Sequence, residues 1–136
     1  DSRVIFKKIN DFCCHNPRSK AFTSLGQLLY FSCIQVVDGV IGNSSSGLLE
    51  VPSFQKGTIN IGDRQKGRIR AESVIDCSPN RSSIANALTK LFCSSFQSQL
   101  LKVSNPYGNG GSASLILNKL EGLDLSDLLK KKFYDL

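Results

Sequence analysis

The chain has 136 residues, 40% of them apolar, with 17 Lys and Arg against 11 Asp and Glu for a formal net charge of +6. These values exclude a disordered chain and suit one globular domain. No apolar run reaches the ~20 residues of a membrane span, and five cysteines without CxxC spacing, beside a single histidine, argue against a zinc site.

In chain order, "RVIFKKINDFCC" spaces Val4, Ile5, Ile9 and Phe12 at helical intervals, and "HNPRS" ends that helix. "KAFTSL" is a candidate short strand running up to Gly26. "QLLYFSCIQVVD" arranges Leu28, Leu29, Phe31, Cys33 and Ile34 around a helix expected to be buried. "GVIG" lacks apolar–polar alternation and reads as a strand covered on both faces. "SSGLLEVPSFQ" reads as a helix that Pro52 breaks or kinks. "GTINIG" and "SVIDC" complete a set of four strands. "SPNRSSIANALTKLFCSS" is a helix capped by Ser82 or Ser83, with Ile84, Leu88 and Leu91 on one face. "FQSQLLKVSN" gives one more short helix, and "NPYGNGGSAS" is a turn-rich connector. "SLILNKLEGL" and "LSDLLKKKFYDL" are two terminal helices divided near Gly122.

Strands alternating with helices indicate a parallel α/β sheet. In such a sheet, ligands bind beyond the carboxyl ends of the strands. "GVIG" runs directly into Asn43, Ser44, Ser45 and Ser46, and "GTINIG" into Asp63, Arg64 and Gln65. Both polar stretches are therefore expected on one rim.

A helix starting at Ser44 to Ser46 turns unpaired N–H groups outward, and its dipole favours an anion. Serine hydroxyls add donors, and Gly47 would let a bulky group come close to the backbone. The result is a phosphate cradle without the lysine of a P-loop. Glu50, four residues beyond Ser46, shares its helix face and suits a sugar diol better than a phosphate. The Arg64 guanidinium suits phosphate oxygens, and Lys66, Arg68 and Arg70 would add field. The same residues also fit a plain N-cap, a solvated carboxylate and an exposed basic turn. Tyr30 fits either a base-stacking ring or a core ring. The carboxylates are scattered, and no Ser-His-Asp or Cys-His arrangement appears, so the residues suit binding rather than chemistry.

The stretch "VIGNSSSGLLEVPSF…GTINIGDRQKGRIRAESVI" resembles the hydrolysing UDP-N-acetylglucosamine 2-epimerases, as do "SLGQLLYFSCIQVVDGVIGNSSSG" and "NPYGNGGSAS". The resemblance runs from about Asp1 to Asn118. It implies the C-terminal half of a GT-B (UDP-glycosyltransferase/glycogen phosphorylase-like) fold, a Rossmann-like parallel sheet with flanking helices. Residues 1–136 would then be a single, incomplete C-terminal nucleotide-binding domain without its N-terminal partner. The lack of methionine and an opening already in helix agree with that expectation.

By the same resemblance the substrate is UDP-GlcNAc, converted to N-acetylmannosamine and UDP for sialic-acid-type sugars. Ser44, Ser45 and Ser46 would hold the diphosphate, Asn43 would be a further UDP contact, and Arg64 would lie near the diphosphate or the sugar. Glu50 would accept from the ribose hydroxyls, and the Leu25 backbone and Tyr30 ring would lie beside the uracil. No catalytic residue maps onto this chain, and no cofactor or metal is implied. The alternatives are a GT-B glycosyltransferase, a related 2-epimerase acting on a diacetamido UDP-sugar, and a non-enzymatic binder of acidic polymers through "DRQKGRIR". We further expect no nucleic-acid or membrane partner, a homo-oligomer when full-length, and a cytoplasmic location.

Overall fold

Three short strands, β1 (Gly39–Gly42), β2 (Gly57–Ile61) and β3 (Val74–Cys77), form a parallel sheet in the order β1-β2-β3. This computed structural model describes residues 2–124. The register pairs Gly42 with Asn60, and Asn60 with Asp76, across the sheet. The chain segments leaving β1 and β2 therefore emerge side by side, which sets up the site.

The helices are α1 (Ser2–His15), α2 (Gly26–Val36), α3 (Ser46–Leu49), α4 (Arg81–Leu91), α5 (Ser94–Leu100) and α6 (Ser112–Glu121); α4 packs on β2 and β3 and α3 on β1 and β2, while α1 and α6 bury no residue. The arrangement is α/β and Rossmann-like. β2 is the central strand and its first four residues are buried. Its alternation sends Ile59 toward α4 and α5, where it packs with Ile75, Ala87, Leu91, Phe96 and Leu100. Thr58 points to the other layer and donates to the Gly47 carbonyl of α3 at 2.9 Å. Leu48, Val51, Pro52 and Ile34 fill that second layer and are almost fully buried.

Several expectations from the sequence need correction. "KAFTSL" forms no strand, so the described residues hold three strands rather than four. A run this short needs a neighbouring ladder, and Phe22 is instead 64% exposed. The helix α2 exists but is not buried, since Ile34 is its one buried residue and Leu28 is 85% exposed. β1 is an edge strand, so Ile41 is 50% exposed rather than covered on both faces. Pro52 does break the helix, separating the single turn α3 from a 3-10 turn, Val51–Phe54. The inner face of α4 uses Ala87 and Leu91, while Leu88 turns outward. The final predicted helix, "LSDLLKKKFYDL", lies outside the described residues.

The cap of α4 is Asn80, not Ser82 or Ser83. Its extended backbone lets Oδ1 accept from the Ser83 N–H at 2.9 Å. The Ser83 hydroxyl instead accepts from the Ser78 N–H. Asn80→Ala is expected to lower stability by about 1 kcal/mol, read from the urea midpoint at unchanged m-value.

Candidate functional site

The loop after β1 and the loop after β2 meet through one carbonyl. Gln65 Nε2 donates to Asn43 O at 2.8 Å, and Arg64 Nη1 reaches the same oxygen at 3.4 Å. The shared rim expected from the two strand ends is thus present. Arg64 is exposed beside the Asn43–Ser46 turn, with its charge turned to solvent.

Gln65 is 3% exposed, and its Oε1 has no partner among the described residues. Burying an unpaired acceptor costs on the order of 1–3 kcal/mol. The bond to Asn43 is what that burial yields, and it ties the two loops together. In the sequence, Gln65 falls on the rim without an evident role. Its signal is visible only once β1 and β2 are known to be adjacent.

In the turn itself, Ser46 N–H donates to Ser44 Oγ at 3.4 Å, and Ser45 precedes α3 without a side-chain cap bond. The helix that follows is one turn long, so its dipole adds little, and serine hydroxyls and Arg64 are the main donors. The Ser46 hydroxyl shares a 2.5 Å hydrogen bond with the Tyr30 hydroxyl. Tyr30 is therefore neither a free stacking ring nor a core ring. It is half-buried, with its hydroxyl anchored on the turn and its ring exposed to a cavity.

That cavity, of about 490 Å³, is lined by Leu25, Gln27, Tyr30, Phe31, Phe22 and Glu50 among others. Its size suits a nucleoside. Leu25, Tyr30 and Glu50, the residues expected at the base and ribose, all line this one cavity. The rings of Tyr30, Phe31 and Phe54 follow one another, with centroids 5.9 and 5.5 Å apart. Glu50 stands at the junction of α3 and the 3-10 turn, one residue past the helix it was expected to share with Ser46.

Gly47 has a different purpose from the one its sequence context suggests. A Cβ there would come within 2.5 Å of Thr58 Cγ2. Its missing side chain admits buried Thr58, not a ligand. Gly47→Ala must push Thr58 or α3 aside, and about 1–3 kcal/mol of stability should be lost. Thermal unfolding of the variant checks this.

The basic run is less positive than it reads. Arg70 pairs with Asp76 and also donates to Gln65 O, so its charge is spent within the fold. Asn60, buried under the sheet end, donates to the same Asp76 carboxylate at 2.7 Å. A second cavity, of about 580 Å³, opens beyond β2 and β3, lined by Asp63, Asp76, Cys77, Ser78 and Ser83 among others. Although larger, it is the poorer anion site, because two carboxylates face it. Burial, and then Asp76, push the Cys77 thiol up from its usual range. The thiol therefore stays protonated and supplies no further charge.

A family model described as UDP-N-acetylglucosamine 2-epimerase matches residues 2–121. The chain belongs to the UDP-N-acetylglucosamine 2-epimerase family. It is 42% identical over 106 residues to the polysialic acid biosynthesis protein P7 of Escherichia coli, covering 78% of this chain and 27% of that protein. It is 38% identical over 135 residues to a GDP/UDP-N,N'-diacetylbacillosamine 2-epimerase (hydrolyzing) of Campylobacter jejuni, covering 98% of this chain and 35% of that one. A UDP-N,N'-diacetylbacillosamine 2-epimerase (hydrolyzing) of Legionella pneumophila is 30% identical over 129 residues, covering 94% of this chain and 33% of its own. The chain thus spans roughly a third of the length of the curated relatives it matches. Among the described residues of this family member, no helix is long and apolar enough to cross a membrane.

Proposed function

We propose that this chain is the UDP-binding part of a hydrolysing 2-epimerase, the C-terminal Rossmann-like domain of a two-domain enzyme. The observation that carries the reading is the meeting of Arg64 with the Asn43–Ser46 turn, next to a cavity that holds Leu25, Tyr30 and Glu50. In this reading Asn43, Ser44, Ser45 and Ser46 hold the diphosphate, and Arg64 balances its charge. Glu50 accepts from the ribose hydroxyls, and the uracil lies between the Leu25 backbone and the Tyr30 ring. Family membership and the relatives' names support a nucleotide-sugar substrate.

The reaction breaks the bond between the sugar C1 and the diphosphate oxygen. Negative charge grows on UDP as it leaves, so donors already placed at that oxygen lower the barrier. In this reading the guanidinium of Arg64 and the serine donors supply this stabilisation. Groups that remove the C2 proton and add water lie outside this chain.

Two substrates are in contention. UDP-GlcNAc follows from the family description. A diacetamido UDP-sugar is favoured by the names of the Campylobacter and Legionella relatives. Incubating the full-length protein with each, without acceptor, should release UDP and the free 2-epimeric sugar from one of them. No turnover of either without an added acceptor would instead favour a glycosyltransferase.

A further inference from the structure

Glu50 sits on scaffolding that cannot hold itself. The four-residue helix α3 precedes it and the four-residue 3-10 turn follows, and helices this short are marginal on their own. Two backbone bonds touch the residue, Glu50 N–H to Ser46 O and Ser53 N–H to Glu50 O. Everything else that fixes its direction comes from elsewhere in the chain.

Asn105 supplies it. The residue is 9% exposed, in the "NPYGNGG" connector. Its Nδ2 donates to Leu49 O at 2.8 Å and to Ser53 Oγ at 2.7 Å, one partner on each side of Glu50. Its Oδ1 accepts from the Tyr107 N–H at 3.0 Å. The Tyr107 hydroxyl then donates to Ile69 O, in the segment leading from β2 to β3. The connector thus spans the site, from the turn that carries Glu50 to the segment that also carries Arg64. Asn105, Tyr107 and Ser53 line a smaller cavity of about 290 Å³ that shares Glu50 and Phe31 with the nucleoside cavity.

We infer that Asn105 is a positioning residue: by stapling the backbone on both sides of Glu50, it aims the carboxylate and makes the site distinguish ribose from deoxyribose. This rests on the reading above that Glu50 meets the ribose hydroxyls. Asn105 touches no ligand in this scheme, and acts through Leu49 and Ser53.

The test is calorimetric titration of the full-length protein with UDP and with 2′-deoxyuridine diphosphate. Wild type should bind the deoxy compound at least about tenfold more weakly, since a carboxylate would lose a hydroxyl partner. Glu50→Gln should bring the two affinities close together. Asn105→Ala should do the same while leaving the affinity for the deoxy compound within about twofold of wild type, which general loosening of the site would not do. Collapse of the ratio in Glu50→Gln but not in Asn105→Ala overturns the positioning role and leaves the ribose reading standing. An unchanged ratio in Glu50→Gln overturns the ribose reading and the positioning role with it. Should Asn105→Ala fail to fold, Ser53→Ala removes one acceptor and little packing. A ratio reduced by at least about threefold then supports the inference, and an unchanged ratio overturns it.

Discussion

Arg64→Ala is expected to weaken UDP binding by the full-length protein at least tenfold, about 1.4 kcal/mol, and to leave uridine binding nearly unchanged. Among the described residues, Arg64 is the cation that contacts the Asn43–Ser46 turn, through Asn43 O. Arg70, the other arginine of the run that reaches the site, is held by Asp76 and cannot take over. The guanidinium is exposed, so its attraction for a diphosphate is screened by salt. The wild-type preference for UDP over uridine should therefore shrink as salt rises, and the variant should show little of that dependence. Turnover should fall further than affinity, because charge on the diphosphate increases as it leaves. Arg64→Lys should recover part of the affinity, since the charge returns without the two-pronged geometry. Equal loss of UDP and uridine binding would point to structural damage instead.

Ile59→Ala is expected to produce the largest stability loss, about 2–5 kcal/mol, measured by urea denaturation. Ile59 is fully buried at the middle of the central strand. It lies among Ile75, Ala87, Leu91, Phe96 and Leu100, which come from β3, α4 and α5. These elements cannot easily close on the gap. The sheet fixes Ile75, and Leu91 already fills the space left by two glycines: a Cβ on Gly57 would lie 2.3 Å from one Leu91 methyl, and one on Gly39 2.8 Å from the other. Ile59→Val should cost only about 0.5–1.5 kcal/mol, so the pair of variants separates cavity formation from loss of strand propensity. The site depends on this core indirectly. The loop leaving β2 carries Arg64 and Gln65, and a shift of the strand moves both.

The strands "GVIG", "GTINIG" and "SVIDC" were readable, to within a residue at their ends, because short β-branched runs with polar ends admit few alternatives. "KAFTSL" is a weaker candidate, with Thr23 as its single β-branched residue. Whether it pairs depends on a neighbour that nothing in its own residues specifies, and it stays outside the sheet. The apolar surface of α2 misled for a related reason. Leu28 and Leu29 are the residue types of a core, yet they are exposed here, because burial belongs to the packing and not to the side chain.

At the site, the rim was legible because parallel strands put their carboxyl ends together. Glu50 was legible from its spacing to Ser46, while Leu25 and the base-side role of Tyr30 came from the resemblance, and all three line one cavity. The bond from Tyr30 to Ser46 was not legible, since it joins residues on two elements whose packing is set by Ile34, Leu48 and Val51. Gln65 and Asn105 were missed for a common reason. Both sit in polar, turn-like sequence that reads as solvated, and both are buried because distant carbonyls need their amide donors. Gly47 was misjudged because a glycine near a site can serve the packing of its neighbours as readily as it serves a ligand.

The most direct measurement is a crystal structure of the full-length protein with UDP. The expected result places the diphosphate between the Ser44–Ser46 turn and the Arg64 guanidinium, with the uracil beside Tyr30 and the ribose hydroxyls on Glu50. A diphosphate seated instead in the cavity beyond β2 and β3, against Asp63 and Ser78, would contradict it.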